Sequence, residues 1–498
     1  MNRVLTPNPY RILFASHAIQ SLGGLSDLAA FTSAMTTALS TMGHDVRLIL
    51  PAYSALLSAL DSVTQISTIK LPGTHRGARL LQGHLSPGLP LYLVDIPGQF
   101  DQPESQYIDE NGRPQPKNAL RFGLFSRVVA LMAINQAGIN WQPELLHCNG
   151  WETALAIPLL ANEWSRPATV YTLHESEQPQ FRGDQISALA LPVELLKSGI
   201  LERQGRISYE KGTLLTADVL ALTSAGFREE ILEDQTSHPL AHLIKKRRDQ
   251  LYGIPSGLDY QYWSPTTDRH IEQHYDSTSF ELKKLNRQRL VSELSLPLND
   301  RDMLIAYLAT SSNTDNPALL ASLLESLVPD APLHILVAAA QAGPALQPLL
   351  DSAASHPGRI SIHPGITEPQ WHRILASSDC LLLPATRHPS AHQAQCALSY
   401  GTVPIAQTTA SLRNTLTDAT PANLLHGNAT AFLYDDATLE PLNEAVSRAM
   451  ACHAKPAIWW QKLARQGMDQ SFPITETAAQ YLECYQAAID HPITYSLS

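Results

Sequence analysis

The 498-residue chain has only five cysteines, Cys148, Cys380, Cys396, Cys452 and Cys484, and no two stand in a C-x-x-C spacing. That scarcity excludes a disulfide framework and the common zinc-ligand patterns, and it points to free thiols in a reducing compartment. No apolar run approaches the roughly 18 residues that a membrane span needs, and no charged n-region followed by an apolar h-region opens the chain. The expected location is the cytoplasm, with no membrane partner. Basic residues are outnumbered, 35 Lys and Arg against 46 Asp and Glu, for a formal charge of −11. The longest basic run is Lys245-Lys246-Arg247-Arg248. Such a chain has no footprint for nucleic acid, and that run reads as a solvated helix end. Also missing are a G-x-x-x-x-G-K-[ST] phosphate loop, a G-x-S-x-G elbow and an H-E-x-x-H helix. Each absence removes a chemistry that depends on that spacing.

What is present is a globular composition, 44% hydrophobic and 16% charged, on a chain long enough for two domains. Nineteen histidines occur, and His388 and His392 stand four apart with His363 and His372 upstream. No carboxylate or cysteine completes an obvious ligand set, so no metal is expected. Short apolar runs alternate with helical segments. Arg11–Ser16 reads as a strand, Ser21-Leu22-Gly23-Gly24-Leu25-Ser26-Asp27 as a turn, residues 28–42 as a helix closed by Gly43, and Asp45–Leu50 as the next strand. A glycine pair at a strand-to-helix turn lets the backbone approach a ligand, although such turns also carry glycine for packing alone. Further strands are expected at Met303–Ala309, Leu333–Ala340, Arg359–His363, Cys380–Pro384, Val403–Ala406 and Ala431–Tyr434, with helices between them. Alternation of this kind argues a doubly wound parallel sheet, in which ligands sit at the carboxyl ends of the strands. The loop 386–391, after the Cys380 strand, is therefore an expected ligand site.

Several of these stretches resemble the bacterial glycogen and starch synthases. Residues 378–412 follow that family's S-R-x-E-P-C-G-L-x-Q-x-x-A-M-x-Y-G-T-x-P-I segment, with Pro389, Ala397, Tyr400, Gly401, Thr402, Pro404 and Ile405 matching. Gly23, Gly24, Leu25 and Asp27 match K-x-G-G-L-x-D. Asn118, Arg121, Phe122, Phe125 and Ser126 match D-N-x-x-R-F-x-x-F-S, while Asn149-Gly150-Trp151-Glu152-Thr153 stands where the family has H-D-W-H-T. His174 ends a strand where the family has T-x-H-N. Tyr252–Asp259, with Trp263-Ser264-Pro265 and Asp268, resembles the crossing between domains, and Lys284, Asn286 and Leu290 continue as K-x-x-N-K-x-x-L. The resemblance implies a GT-B fold: two Rossmann-like, doubly wound α/β domains facing a central cleft. It also implies an N-terminal, acceptor-side domain over residues 1–248, rejoined by a C-terminal helix at 471–498, and a nucleotide-sugar-side domain over 249–470.

The family transfers glucosyl from ADP-glucose to an α-1,4-glucan and needs no cofactor beyond that donor. By resemblance, His174 and His388 take the catalytic positions. Gly23, Gly24, Asp27, Trp151, Ser390, Tyr400, Gly401 and Thr402 take the substrate-binding ones. The chemistry departs from the pattern at four places: Ser21 replaces a lysine, Thr310 an arginine, Asp315 a lysine and His388 a glutamate. The expectation is a protein of glycogen metabolism with lost or strongly reduced catalysis, binding α-glucan or a partner protein. The alternative is an active glycosyltransferase, either a true glycogen synthase or one with an altered sugar donor.

Overall fold

The computed structural model describes residues 9–493 except 21–25, 73, 75–76, 86–87, 102–114, 175–178, 234–237, 300, 310–316, 328–330, 340–345, 357 and 385–390. Two compact units divide the chain. One takes the chain up to Pro255 together with the segment from Ile474, and the other takes Ser256–Pro473.

In the first unit the strands are β1 (Arg11–Ala15), β2 (Asp45–Pro51), β3 (Thr64–Ile69), β4 (Ala78–Leu85), β5 (Leu89–Asp95), β6 (Leu145–Asn149), β7 (Ala168–Leu173), β10 (Val219–Leu222) and β11 (Leu251–Gly253), and a separate short hairpin pairs β8 (Glu202–Arg203) with β9 (Arg206–Ile207). The main sheet runs β11-β10-β7-β6-β1-β2-β5-β4-β3. Its central strands are apolar runs buried on both faces, which only a sheet covered by helices on each side accommodates. Six neighbouring pairs are parallel, but β5-β4 and β4-β3 are antiparallel. The doubly wound parallel sheet expected here is thus extended at one edge by an antiparallel pair of strands. Three residues separate β4 from β5, and a parallel crossover needs about a dozen.

The last helix, Ile474–Asp490, belongs to this unit and is fastened by buried hydroxyls. Tyr485 Oη lies 2.7 Å from His147 Nδ1, and Tyr481 Oη lies 3.0 Å from Thr172 Oγ1. Thr172 in turn sits 2.7 Å from His147 Nε2. Each polar atom in this core therefore has a partner, the condition for burying it at low cost. Burial also pushes the His147 imidazole down to about 3, so it enters the network neutral.

The second unit holds β12 (Met303–Ala309), β13 (Leu333–Ala339), β14 (Ile360–Pro364), β15 (Cys380–Leu383), β16 (Val403–Gln407) and β17 (Phe432–Tyr434), all parallel, in the order β14-β13-β12-β15-β16-β17. Every residue of β12, β13 and β15 is buried. The helix Ala391–Ser399 leads through Tyr400 to Gly401, whose φ is +61°. A Cβ there would lie 2.6 Å from the Phe280 ring and 2.9 Å from Met468 Sδ, so both conformation and space call for glycine. Among the described residues no helix is long and apolar enough to cross a membrane.

Candidate functional site

In the first sheet the chain runs outward from β1 through β2 to β5 on one side and from β6 through β7 to β11 on the other. The reversal falls between β1 and β6. A crevice outside the carboxyl ends of the strands opens at such a point, because the two following loops leave in opposite directions. Three neighbouring strands deliver polar residues there. His17 follows β1, Asn149 ends β6 and leads into Gly150-Trp151-Glu152, and His174 follows β7.

These side chains are tied together. His174 Nε2 lies 2.5 Å from Asn149 Oδ1, and Asn149 Nδ2 donates to Thr32 Oγ1 at 2.9 Å. Thr32 Oγ1 donates to the Leu28 carbonyl at 2.8 Å, inside the first turn of the helix Asp27–Thr41. Burial pushes the His174 imidazole down to about 4; Glu152 opposes the shift and His17 adds to it. His174 is therefore neutral near pH 7. Glu152, 4% exposed, meets His17 Nδ1 at 3.2 Å across its Oε2. The same Oε2 sits 2.7 Å from where a Cβ on Gly150 would be, and Gly150 has φ +81°. Glycine at this position is thus what lets the Glu152 carboxylate fold back over the loop. Behind it, Glu210 accepts a 2.9 Å hydrogen bond from Tyr171.

The remaining expected site residues of this unit fall in different places. Asp27 opens its helix just after the cap Ser26, whose hydroxyl accepts from Ala29 N–H at 3.2 Å. A carboxylate there faces the positive end of the helix dipole. Trp151 is 4% exposed and packs between Phe122 and Phe181, at ring separations of 5.3 and 5.7 Å, so its indole supports the loop from beneath. Ser21, Gly23 and Gly24 lie outside the described residues.

The second sheet reverses in the same way between β12 and β15, which are neighbours in register from Ile305 opposite Cys380 to Tyr307 opposite Leu382. Thr310 and Asp315 come directly after β12 in the sequence, and His388 and Ser390 come after β15; all four lie outside the described residues. Tyr400, Gly401 and Thr402 are described, and the side-chain hydroxyls among them are engaged by protein. Tyr400 and Thr402 are fully buried. Tyr400 Oη donates to Asp268 Oδ2 at 2.5 Å, and Thr402 Oγ1 donates to the Leu375 carbonyl at 2.6 Å. Their hydroxyls are taken by protein, and Gly401 turns the chain between them. What the three contribute is the turn from the helix Ala391–Ser399 into β16.

Sequence reasoning missed two arrangements in this unit. Asp268 also bonds the buried His372 at 2.8 Å, and His372 stacks on Trp263 at 3.9 Å. Lys283, rather than the exposed Lys284, reaches the Leu375 and Tyr400 carbonyls and Thr402 Oγ1 at 2.8–3.0 Å, and burial pushes its ammonium down to about 7. Helical spacing carries the signal: Lys283, Asn286 and Leu290 share one buried face.

Two α/β units, each with a largely parallel sheet that reverses its strand order partway, define the GT-B fold of glycosyltransferases. The catalytic domain of starch synthase IV from Arabidopsis thaliana, solved bound to ADP and acarbose, superposes with a TM-score of 0.84 at 18% identity, covering 97% of this chain and all of that one. Sucrose-phosphate synthase from Thermosynechococcus elongatus follows at a TM-score of 0.59 and 15% identity, over 95% of this chain and 98% of that one. The family model described as the starch synthase catalytic domain matches residues 11–246. Glycogen synthase 2 of Nitrosococcus oceani is 34% identical over 487 residues, 96% of this chain and 98% of that protein. The glycogen synthase of Thioalkalivibrio sulfidiphilus is 33% identical over 482 residues, 96% of this chain and 99% of that protein. The chain belongs to the bacterial glycogen synthase family.

Proposed function

We propose that this family member has lost, or retains only weakly, glucosyl transfer from ADP-glucose to α-1,4-glucan, and that it serves glycogen metabolism by binding α-glucan or a partner protein. The observation that carries this reading is the joint replacement of family charges at Ser21, Thr310, Asp315 and His388. Transfer from a nucleotide sugar leaves a diphosphate whose negative charge must be held as the sugar bond breaks. Each charge-assisted contact contributes about 1.5–3 kcal/mol in binding, and more where charge develops in the transition state. Thr310 offers a neutral hydroxyl in place of a guanidinium. Asp315 reverses the sign, so it repels the group that a lysine would attract. His388 lacks the permanent negative charge that a carboxylate offers a developing oxocarbenium ion.

The alternative of transfer from a different donor draws on one observation. His174 at the end of β7 is held through Asn149 and Thr32, as a working sugar site requires. A different sugar would still leave a phosphate to be held if the donor were a nucleotide sugar.

Calorimetry with ADP tests the reading. The native chain is expected to show no binding at millimolar ADP. The triple variant Thr310→Arg, Asp315→Lys, His388→Glu, with Ser21→Lys added in a second variant, is expected to gain affinity. Asp315→Lys should contribute most, because it reverses a sign. Micromolar ADP binding by the native chain would overturn the reading.

A further inference from the structure

We propose that Asn149 is a positioning residue that locks one tautomer of His174, so that the ring presents Nδ1 as a hydrogen-bond acceptor to a ligand hydroxyl. The Thr32 hydroxyl has a single hydrogen to donate. Its Oγ1 lies 2.8 Å from the Leu28 carbonyl, which can only accept, so the hydrogen goes there. Toward its other two neighbours Thr32 must accept: Ser16 Oγ at 2.9 Å and Asn149 at 2.9 Å. The Asn149 amide therefore turns its NH2 to Thr32 and its carbonyl oxygen to His174. That oxygen is also an acceptor only, so the proton of the 2.5 Å contact sits on His174 Nε2. A neutral imidazole has one ring proton, and with Nε2 carrying it, Nδ1 keeps its lone pair.

The ring is held as well as protonated. Phe31 meets it edge-on, at 5.6 Å and 70° between planes. Ser16, Thr32 and Asn149 are fully buried, whereas His174 is only partly so. Among the described residues Nδ1 has no hydrogen-bond partner. The relay thus begins at the first turn of the helix Asp27–Thr41 and ends on a ring atom at the carboxyl end of β7. Such an atom takes a donor: the hydroxyl of a neutral sugar suits it, while a phosphate or carboxylate oxygen does not. Burial is what keeps the ring neutral; of its titratable neighbours, Glu152 opposes that shift and His17 adds to it. The choice of sugar rests on the proposed glucan-binding role; the tautomer does not.

The test uses the full-length protein labelled with 15N in its histidine rings, with His174→Gln to assign the signal. Long-range 15N–1H spectra near pH 7 should show His174 protonated at Nε2 alone. Asn149→Leu removes the acceptor and should give a mixture of tautomers. Thr32→Val, which touches neither His174 nor ligand, should do the same by freeing the amide to flip. Asn149→Asp keeps an acceptor and should keep Nε2 protonated. A proton on Nδ1 in the native chain, or an unchanged signal in both Asn149→Leu and Thr32→Val, overturns the proposal. Maltoheptaose titration should shift the Nδ1 signal and bind about 5–10-fold more weakly to Asn149→Leu, the loss expected for one hydrogen bond. Binding that leaves Nδ1 unmoved overturns the ligand contact. No binding at all overturns the glucan-binding reading, and the tautomer spectra then decide the role of Asn149 on their own.

Discussion

Glu210 has a charge that the fold suppresses. Burial pushes its carboxyl up to about 8; the Tyr171 hydrogen bond opposes this in part, and the nearby Glu152 adds to it. In the unfolded chain the same group titrates near 4.5. Between those values the folded protein holds a proton that the unfolded chain has released, so stability falls as pH rises across the window. Glu210→Gln removes this term. Its melting temperature relative to the native chain should therefore climb from about pH 5 to about pH 8, the window set by the linkage relation, as followed by circular dichroism. Parallel curves would contradict the assignment. The lysine at the second unit's helix shows how far sequence reading reaches at this scale. The motif with Asn286 and Leu290 is recognisable, but the lysine that works there is Lys283 and not Lys284. The K-x-x-N spacing counts back from Asn286 to Lys283, and the buried face at i, i+3 and i+7 agrees with it.

At the scale of elements, the strands that were legible are those buried on both faces. β12 and β15 are unbroken apolar runs, β1 and β13 are interrupted only by Arg11 and His334, and a covered parallel sheet leaves no alternation to interpret. The edge strand β3 and its neighbour β4 were not legible. Thr64–Ile69 is mostly exposed and polar, and its place depends on pairing with β4 rather than on its own pattern. The His174 relay escaped for a related reason. Asn149 and Thr32 are 117 positions apart, and only the adjacency of β1, β6 and β7 brings their elements together. Gly401, by contrast, was readable as a helix stop, and the structure adds a measurable cost. Gly401→Ala forces a left-handed backbone on a residue with a Cβ and drives that Cβ against the Phe280 ring. It should destabilise the protein by about 2–4 kcal/mol in urea melts. A change below about 0.5 kcal/mol, the range of a neutral surface substitution, would show that the neighbouring chain relaxes around it.

On the scale of the whole molecule, both units keep the architecture of their family while the charges expected at the second unit's reversal point are replaced. The sheet orders, the C-terminal helix in the first unit and the glycine turn at Gly401 are scaffold features. Thr310, Asp315 and His388 follow the two strands between which the second sheet reverses, where a ligand-side loop has its effect on chemistry and little on folding. Sequence reading could reach these positions because a missing charge is visible without coordinates, whereas a tautomer is not. The most direct test of reduced catalysis is incorporation of radiolabelled glucose from ADP-glucose into glycogen by the purified full-length protein, beside an active synthase of the family. Turnover at least roughly 1000-fold below the ordinary range of about 1–1000 per second is expected; incorporation at an ordinary rate would contradict the account.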